Sequence, residues 1–174
     1  VSILQAELRL YSLQLSGIAG NLNLKVTAQH HRGQPQTILV SCPNWVGDVV
    51  MATPTFECIR QNFPESRLIG LIRNYAKGVV EEGPWFDDLI VVQDKSVGEM
   101  KALVSRLRRL RPDLAVILPN SFRSALIARL GGVKQIYGYR RNGRSAFLSG
   151  GPAPLHNNGR ITPRPMGEYY MEIC

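Results

Sequence analysis

From Thr37 onward, short apolar runs alternate with longer amphipathic stretches, about five times over. Residues 37–42 (Thr-Ile-Leu-Val-Ser-Cys) are apolar on both parities, the pattern of a strand covered on both faces in a parallel sheet. Residues 67–72, 89–92, 114–118 and 135–138 repeat that pattern. Between them the spacing predicts a helix over about 48–62, stopped before Pro64, and a second over 74–82, closed by Gly83-Pro84. A third over 97–110 places Met100, Leu103, Val104, Leu107 and Leu110 on one face and the intervening arginines toward water. A fourth over 121–130 starts at a serine cap and ends at Gly131-Gly132. Alternation of this kind predicts the α/β class, with a Rossmann-like doubly wound parallel sheet.

The ends of the chain read differently. Leu4, Leu8, Tyr11, Leu15, Ile18 and Leu22 recur at helical spacing, but Gly17 and Gly20 interrupt them and Leu22, Leu24 and Val26 alternate as in a strand. Both readings stay open. Residues 30–36 are polar; His30 and His31 have no Cys or third His nearby, so they read as linker rather than metal ligands. After Tyr139 the Gly-, Pro- and Arg-rich sequence predicts loop, and 166–174 reads as the start of a helix. The expected organisation is an N-terminal extension over 1–36, a domain over 37–165 and the start of a connection over 166–174.

Composition adds bounds. A length of 174 residues, 44% hydrophobic and 20% charged, suits one ordinary domain plus a tail, or a domain cut from something larger. No apolar run approaches the ~20 residues that cross a bilayer, and no signal-peptide pattern opens the chain. Cys42, Cys58 and Cys174 are odd in number and far apart, with no C-x-x-C. The expectation is small buried thiols at Cys42 and Cys58 in a reducing cytoplasm. The net charge of +8 points to acidic partners, and the stretch 95–144 carries much of the excess against only Glu99 and Asp113.

Ligands of an open α/β sheet sit beyond the carboxyl ends of its strands, and two unusual loops fall there. Pro43-Asn44-Trp45-Val46-Gly47-Asp48 has neither a dinucleotide fingerprint nor a P-loop. It offers one carboxylate, Asp48, which reads either as a helix cap or as a general base. Trp45 could stack on a sugar or fill core. In the second loop, Pro119-Asn120-Ser121-Phe122-Arg123-Ser124, Ser121 and Arg123 at a helix start suit a phosphate or carboxylate, or a plain cap with a solvated arginine. Arg140, Arg141 and Arg144 crowd one turn-rich loop, as an anion site or a solvated basic loop would. Arg106, Arg108, Arg109 and Arg111 read as a solvated helix face, His156 as a surface residue, and Asp87-Asp88 as a cap or turn.

Taken together, Pro43-Asn44-Trp45-Val46-Gly47-Asp48-Val49-Val50-Met51-Ala52-Thr53-Pro54, Leu118-Pro119-Asn120-Ser121-Phe122-Arg123-Ser124-Ala125, Gly138-Tyr139-Arg140-Arg141 with Gly143-Arg144-Ser145, and Pro165-Met166 with Glu168-Tyr169-Tyr170 carry a family likeness. In this order and spacing they resemble the lipopolysaccharide heptosyltransferases of glycosyltransferase family 9, heptosyltransferase II above all. The likeness runs over 37–174 and leaves 1–36 outside it. It implies the N-terminal, acceptor-binding half of a GT-B glycosyltransferase, whose C-terminal donor domain is absent from this sequence. The implied reaction moves heptose from ADP-L-glycero-D-manno-heptose to the lipopolysaccharide inner core with inversion, without metal or other cofactor. It makes Asp48 the catalytic base, and Trp45, Asn120, Ser121, Arg123, Arg140, Arg141 and Arg144 the acceptor-binding set. The implied partners are the lipid-anchored anionic inner-core acceptor and, through the missing domain, ADP-heptose. The implied place is the cytoplasm, with room for peripheral contact with the inner membrane, and the chain alone is expected to be inactive. The competing reading is a basic nucleic-acid-binding α/β module, which explains the charge but lacks an RRM, KH or helix-turn-helix pattern. A Rossmann-type cofactor enzyme is disfavoured by the missing glycine fingerprint.

Overall fold

Five short strands, β1 (Thr37–Ser41), β2 (Arg67–Arg73), β3 (Asp88–Val92), β4 (Leu114–Ile117) and β5 (Gln135–Gly138), pair in parallel in the order β3-β2-β1-β4-β5. This computed structural model describes residues 34–93, 96–157 and 160–174. The expectations for 1–30, for His30 and His31, and for the side chain of His156 fall outside what is described. The doubly wound α/β expectation holds, and the strand order reverses between β1 and β4, the topological switch point of such sheets.

Both faces of the sheet are covered. On one side Ile38 and Val40 meet Val49, Phe56, Ile59, Ala76, Tyr169 and Tyr170. On the other, Leu39, Ile69 and Ile117 meet Leu103, Leu107, Ile127 and Ala128. Alternate residues of each strand therefore serve opposite layers, which explains why the strands read as continuous apolar runs. Each fully buried Leu, Ile or Phe in these layers contributes roughly 1.5–3 kcal/mol.

The helices depart from expectation where local chemistry intervenes. The predicted helix over 48–62 is two: α1 (Val46–Met51) and α2 (Thr53–Asn62), joined at Ala52. Pro54 has no N–H to donate to the Val50 carbonyl, and Thr53 Oγ1 donates to that carbonyl instead, at 2.9 Å. The stretch predicted as a helix over 74–82 is a 3₁₀ helix over Asn74–Val79, where Gly78 is a poor helix former and Ala76 is the buried residue. In contrast, α3 (Val97–Leu110) runs as expected from a Ser96 cap, whose Oγ accepts from Glu99 N, to Arg111 in the left-handed region. Helix α4 (Phe122–Leu130) likewise starts at the Ser121 cap. The predicted loop after Tyr139 contains a 3₁₀ turn over Arg144–Phe147 and a two-stranded hairpin, β6 (His156–Asn157) with β7 (Arg160–Ile161). The chain then returns as α5 (Met166–Met171), which packs against α1 and α2.

That return corrects the cysteine reading. Cys58 on α2 and Cys174 form a disulfide with Cα atoms 6.4 Å apart. A separation of 116 residues hid the pair from spacing rules, because only the packing of the C-terminal segment onto α2 brings the two together. Cys42 alone is a free buried thiol, and burial pushes its pKa far up. With two of the three cysteines bonded, cysteine usage no longer argues for a reducing compartment.

Two carboxylates pin the sheet at its amino edge. Asp113 Oδ2 accepts from the backbone N–H of Gln36 (3.0 Å) and Thr37 (3.2 Å), and Oδ1 accepts from Lys134 Nζ (2.9 Å). Asp87 Oδ2 accepts from Leu68 N (2.7 Å) and Arg60 (2.8 Å). The hydrogen bond from Lys134 holds the Asp113 carboxyl below its ordinary 3.8, and the Thr37 and Gln36 amides add to it against partial burial. A folded pKa below the unfolded one gives stability that is full above the unfolded value and is lost as pH falls through the folded one. Asp113→Ala is therefore expected to lower stability by about 1–2 kcal/mol at neutral pH, most of it from the two orphaned amides. Urea unfolding at about pH 7 and again at about pH 2.5 should show the gap between wild type and variant closing in acid. An unchanged gap would mean that the carboxylate charge plays no part.

Candidate functional site at the sheet switch point

Loops leave the carboxyl ends of β1 and β4 in opposite directions and open two adjoining clefts. The first, ≈ 270 Å³, is lined by Pro43, Asn44, Trp45, Asp48, Leu118, Pro119, Asn120, Ser121, Met166 and Tyr170. The second, ≈ 230 Å³, has an apolar floor that includes Leu71, Met100, Leu103 and Ile127, and a polar rim of Arg73, Glu99, Ser121, Arg123 and Ser124. Asn44, Pro119 and Ser121 form the wall between them.

Asp48 sits in the first turn of α1, where the helix N-terminus favours negative charge. It is not the cap. The N-cap position belongs to Trp45, no side chain caps this helix, and the half-buried Asp48 carboxylate makes no hydrogen bond or ion pair with a described residue. Trp45 is 74% exposed at the cleft mouth, so it does not fill core. Tyr75, also exposed, props the same loop by donating from its hydroxyl to Asn44 O at 2.6 Å.

The second loop is held by a buried charge. Arg144 is fully buried, donating from Nε to Tyr139 O (2.8 Å), from one terminal nitrogen to Pro119 O and from the other to Asn120 Oδ1 (3.1 Å). Burial pulls its pKa down, and the neighbouring Tyr169 counters in part. Gly138 packs close to the neighbouring strand: a Cβ there would clash with Ile117 O at 2.8 Å, and would meet the Arg144 guanidinium at an ordinary 3.4 Å. Asn142 and Gly143, both at positive φ, turn the chain, and Asn142 Nδ2 donates to Asn120 O at 2.7 Å. Asn120 Oδ1 also accepts from the Tyr169 hydroxyl at 2.6 Å. The Tyr169 ring stacks on Tyr139 with centroids 3.7 Å apart, and the Tyr139 hydroxyl reaches Glu172, which pairs with Arg164.

The residues singled out from sequence thus separate. Asp48, Trp45, Asn120 and Ser121 share the first cleft, and Ser121 and Arg123 share the second. Ser121 Oγ caps α4 by accepting from Ser124 N at 3.0 Å, and Arg123 donates to Ser96 O at 3.0 Å. Arg140 is exposed and lines neither cleft. Arg141 lies beside the Tyr169 hydroxyl. Arg144, expected to meet an acceptor, instead spends its donors on the protein, because its three acceptors enclose it. Sequence reasoning missed Tyr169 and Tyr170; their segment was singled out, but only as a connection. Burial pushes the Tyr170 phenol well above its ordinary value, and the charge of Asp48 pushes the same way. Among the described residues no three His, Cys, Asp or Glu side chains gather as a metal site would require.

Replacing Arg144 by Met keeps length but takes one donor from each of three oxygens, of which Asn120 Oδ1 keeps the Tyr169 hydroxyl and Tyr139 O keeps Arg141 N. Arg144→Met should lower stability by about 2–4 kcal/mol in urea unfolding, while Arg140→Gln stays within about 0.5 kcal/mol. Equal midpoints for the two variants would show that the buried guanidinium does not hold these loops.

No protein-family profile matches the chain. It is 28% identical over 116 residues to lipopolysaccharide heptosyltransferase 2 of Escherichia coli K12, covering 64% of this chain and 33% of that protein. It is 26% identical over 122 residues to lipopolysaccharide heptosyltransferase 3 of the same organism, covering 63% and 35%. The solved ADP-heptose lipopolysaccharide heptosyltransferase II of E. coli superposes with a TM-score of 0.66 at 26% identity, over 79% of this chain and 39% of that one. A glycosyltransferase family 9 structure from Veillonella parvula shares the fold, with a TM-score of 0.66 at 22% identity over 79% and 40%. The chain spans about a third of the length of the curated relatives it matches. Over that partial span, the chain is similar in sequence and in fold to lipopolysaccharide heptosyltransferases.

Proposed function

We propose that this chain is the acceptor-side, N-terminal half of an inverting heptosyltransferase acting on the lipopolysaccharide inner core, with Asp48 as its general base. The observation that carries the reading is a carboxylate uncommitted to any described residue, held in a helix first turn at the mouth of a switch-point cleft. In the step proposed, an acceptor hydroxyl loses its proton to the Asp48 carboxylate as its oxygen bonds to the anomeric carbon of the heptose. The bond from that carbon to the diphosphate oxygen breaks, and ADP leaves with the electron pair. Attack from the face opposite the leaving group inverts the anomeric centre. The base needs to reach the hydroxyl within hydrogen-bond distance. No metal or other cofactor enters this scheme.

The acceptor is lipid-anchored and anionic in this reading. Trp45 offers an exposed ring to a sugar face, and Asn120, Ser121 and Arg123 line the adjoining walls. Arg141, beside the Tyr169 hydroxyl, is the nearer of the two remaining loop arginines, and Arg140 lies further out on the surface. The sugar nucleotide would be held by sequence beyond this chain, facing the same cleft. No helix among the described residues is long and apolar enough to cross a membrane. Contact with the cytoplasmic face of the inner membrane, as the proposal has it, would be peripheral.

The test joins this chain to its natural downstream sequence and measures heptose transfer from ADP-heptose to purified inner-core acceptor. Asp48→Ala should reduce kcat by about 100-fold or more with the fold intact by circular dichroism, the range for a lost general base. Near-normal turnover in the variant would remove Asp48 from the chemistry. Absence of transfer by the wild type, combined with tight, salt-sensitive oligonucleotide binding, would replace the reading with a nucleic-acid module.

A further inference from the structure

Helix α5 places two adjacent tyrosines in different circumstances. Tyr169 is committed, with its ring stacked on Tyr139 and its hydroxyl bonded to Asn120. Tyr170 packs its ring into the core edge-on to Tyr169, with centroids 5.7 Å apart at 76°. Its hydroxyl bonds to no described residue, yet it is not a sealed, unpartnered polar atom, and the residue lines the cleft that holds Asp48. Asp48 is in the same position, and the two are not hydrogen-bonded to each other, although the Asp48 charge is felt at the phenol. A buried tyrosine usually finds a partner for its hydroxyl. Here both residues line the same cleft.

We infer that Tyr170 is the hydrogen-bond donor which, together with Asp48, holds the hydroxyl of the molecule to be glycosylated. The inference rests on the transfer reading above and names a second residue for it. A carboxylate only accepts, while a protonated phenol donates. An alcohol is the complement of that pair, giving its proton to Asp48 and taking a hydrogen bond from Tyr170 on one lone pair. A phosphate or carboxylate is not, because Asp48 would repel it. The ligand group at this point is therefore a sugar hydroxyl, and the anionic groups of the acceptor belong elsewhere along the clefts. With one lone pair engaged by Tyr170 and the proton directed at Asp48, the remaining lone pair has a fixed direction of attack. Tyr170 transfers no proton. Burial and the Asp48 charge both keep the phenol protonated, so it stays a donor across the working pH range.

The test uses the chain with its downstream sequence and compares wild type, Tyr170→Phe, Asp48→Asn and the double variant. Tyr170→Phe removes one oxygen and leaves the ring in place. It should lower kcat/KM about 10-fold or more with an unchanged thermal midpoint, and cost less than about 3-fold when Asp48 is already Asn, because both groups act on one hydroxyl. Near-wild-type kcat/KM in Tyr170→Phe overturns the inference. An equal loss in both backgrounds also overturns it, since that is the behaviour of a purely structural residue. Should the wild type transfer no heptose, the transfer reading falls separately, and phenol titration by NMR on ¹³C-labelled tyrosine decides the pairing. A lower Tyr170 midpoint in Asp48→Asn keeps the two groups facing one ligand, and an unmoved midpoint rejects it.

Discussion

A guanidinium with no exposure to water governs the arrangement of the site. Removing a charge from water costs several kcal/mol unless its donors are satisfied, so the acceptors around Arg144 are constrained to stay where they are. Those acceptors are Tyr139 O, Pro119 O and Asn120 Oδ1, one from the strand-end residue after β5 and two from the loop after β4. Asn120 is thereby fixed in orientation and becomes the acceptor for Tyr169. Tyr169 in turn sets the position of α5, and α5 brings Tyr170 to the cleft. A buried charge thus positions a hydroxyl from a distant part of the sequence, through contacts that each depend on the one before.

The two ends of the sheet use their polar groups differently. At the amino edge, Asp113 and Asp87 spend their oxygens on strand amides and on Lys134 and Arg60. At the carboxyl edge, Asp48 and the Tyr170 hydroxyl spend theirs on no described residue. Both classes of carboxylate are abundant on protein surfaces, and residue type alone does not distinguish them. What distinguishes them is which end of a parallel strand they follow, since only the carboxyl ends at the switch point diverge enough to leave a crevice.

That contrast also explains what could be read from the sequence. Periodicity is a local property, and it located all five strands, the apolar face of α3 and the serine cap of α4. It failed where one residue's chemistry cut into a regular pattern, as Pro54 does between α1 and α2. Long-range events left no local trace. Neither the Cys58–Cys174 bond nor the stacking of Tyr169 on Tyr139 could be seen from spacing. Arg144 was legible as unusual but misread in role. Three arginines in one loop suggested an external anion, whereas Arg144 turns inward onto Tyr139 O, Pro119 O and Asn120 Oδ1. Asp48 was legible as a cap or a base, and the cap falls because the helix starts two residues earlier than the sequence suggested.

The net charge of +8 deserves the same spatial reading, because a ligand responds to where charge sits rather than to its sum. Arg60, Arg67, Lys77, Lys134 and Arg164 are paired with carboxylates, and Arg144 is buried. Helix α3 runs from the carboxyl end of β3 back to the start of β4, so Arg108, Arg109 and Arg111 lie at the amino edge of the sheet, opposite the clefts. Arg108 confirms the placement by donating to Leu130 O at the far end of α4. Charges more than about 10 Å apart are largely screened at ordinary ionic strength. The charged residues that line the clefts are therefore a mixed set, Arg73 and Arg123 with Glu99 and Asp48, and the arginine-rich helix that dominates the sequence contributes none of the arginines. A mixed lining of that kind is not the basic stripe along a binding face that the continuous phosphate track of a nucleic acid calls for.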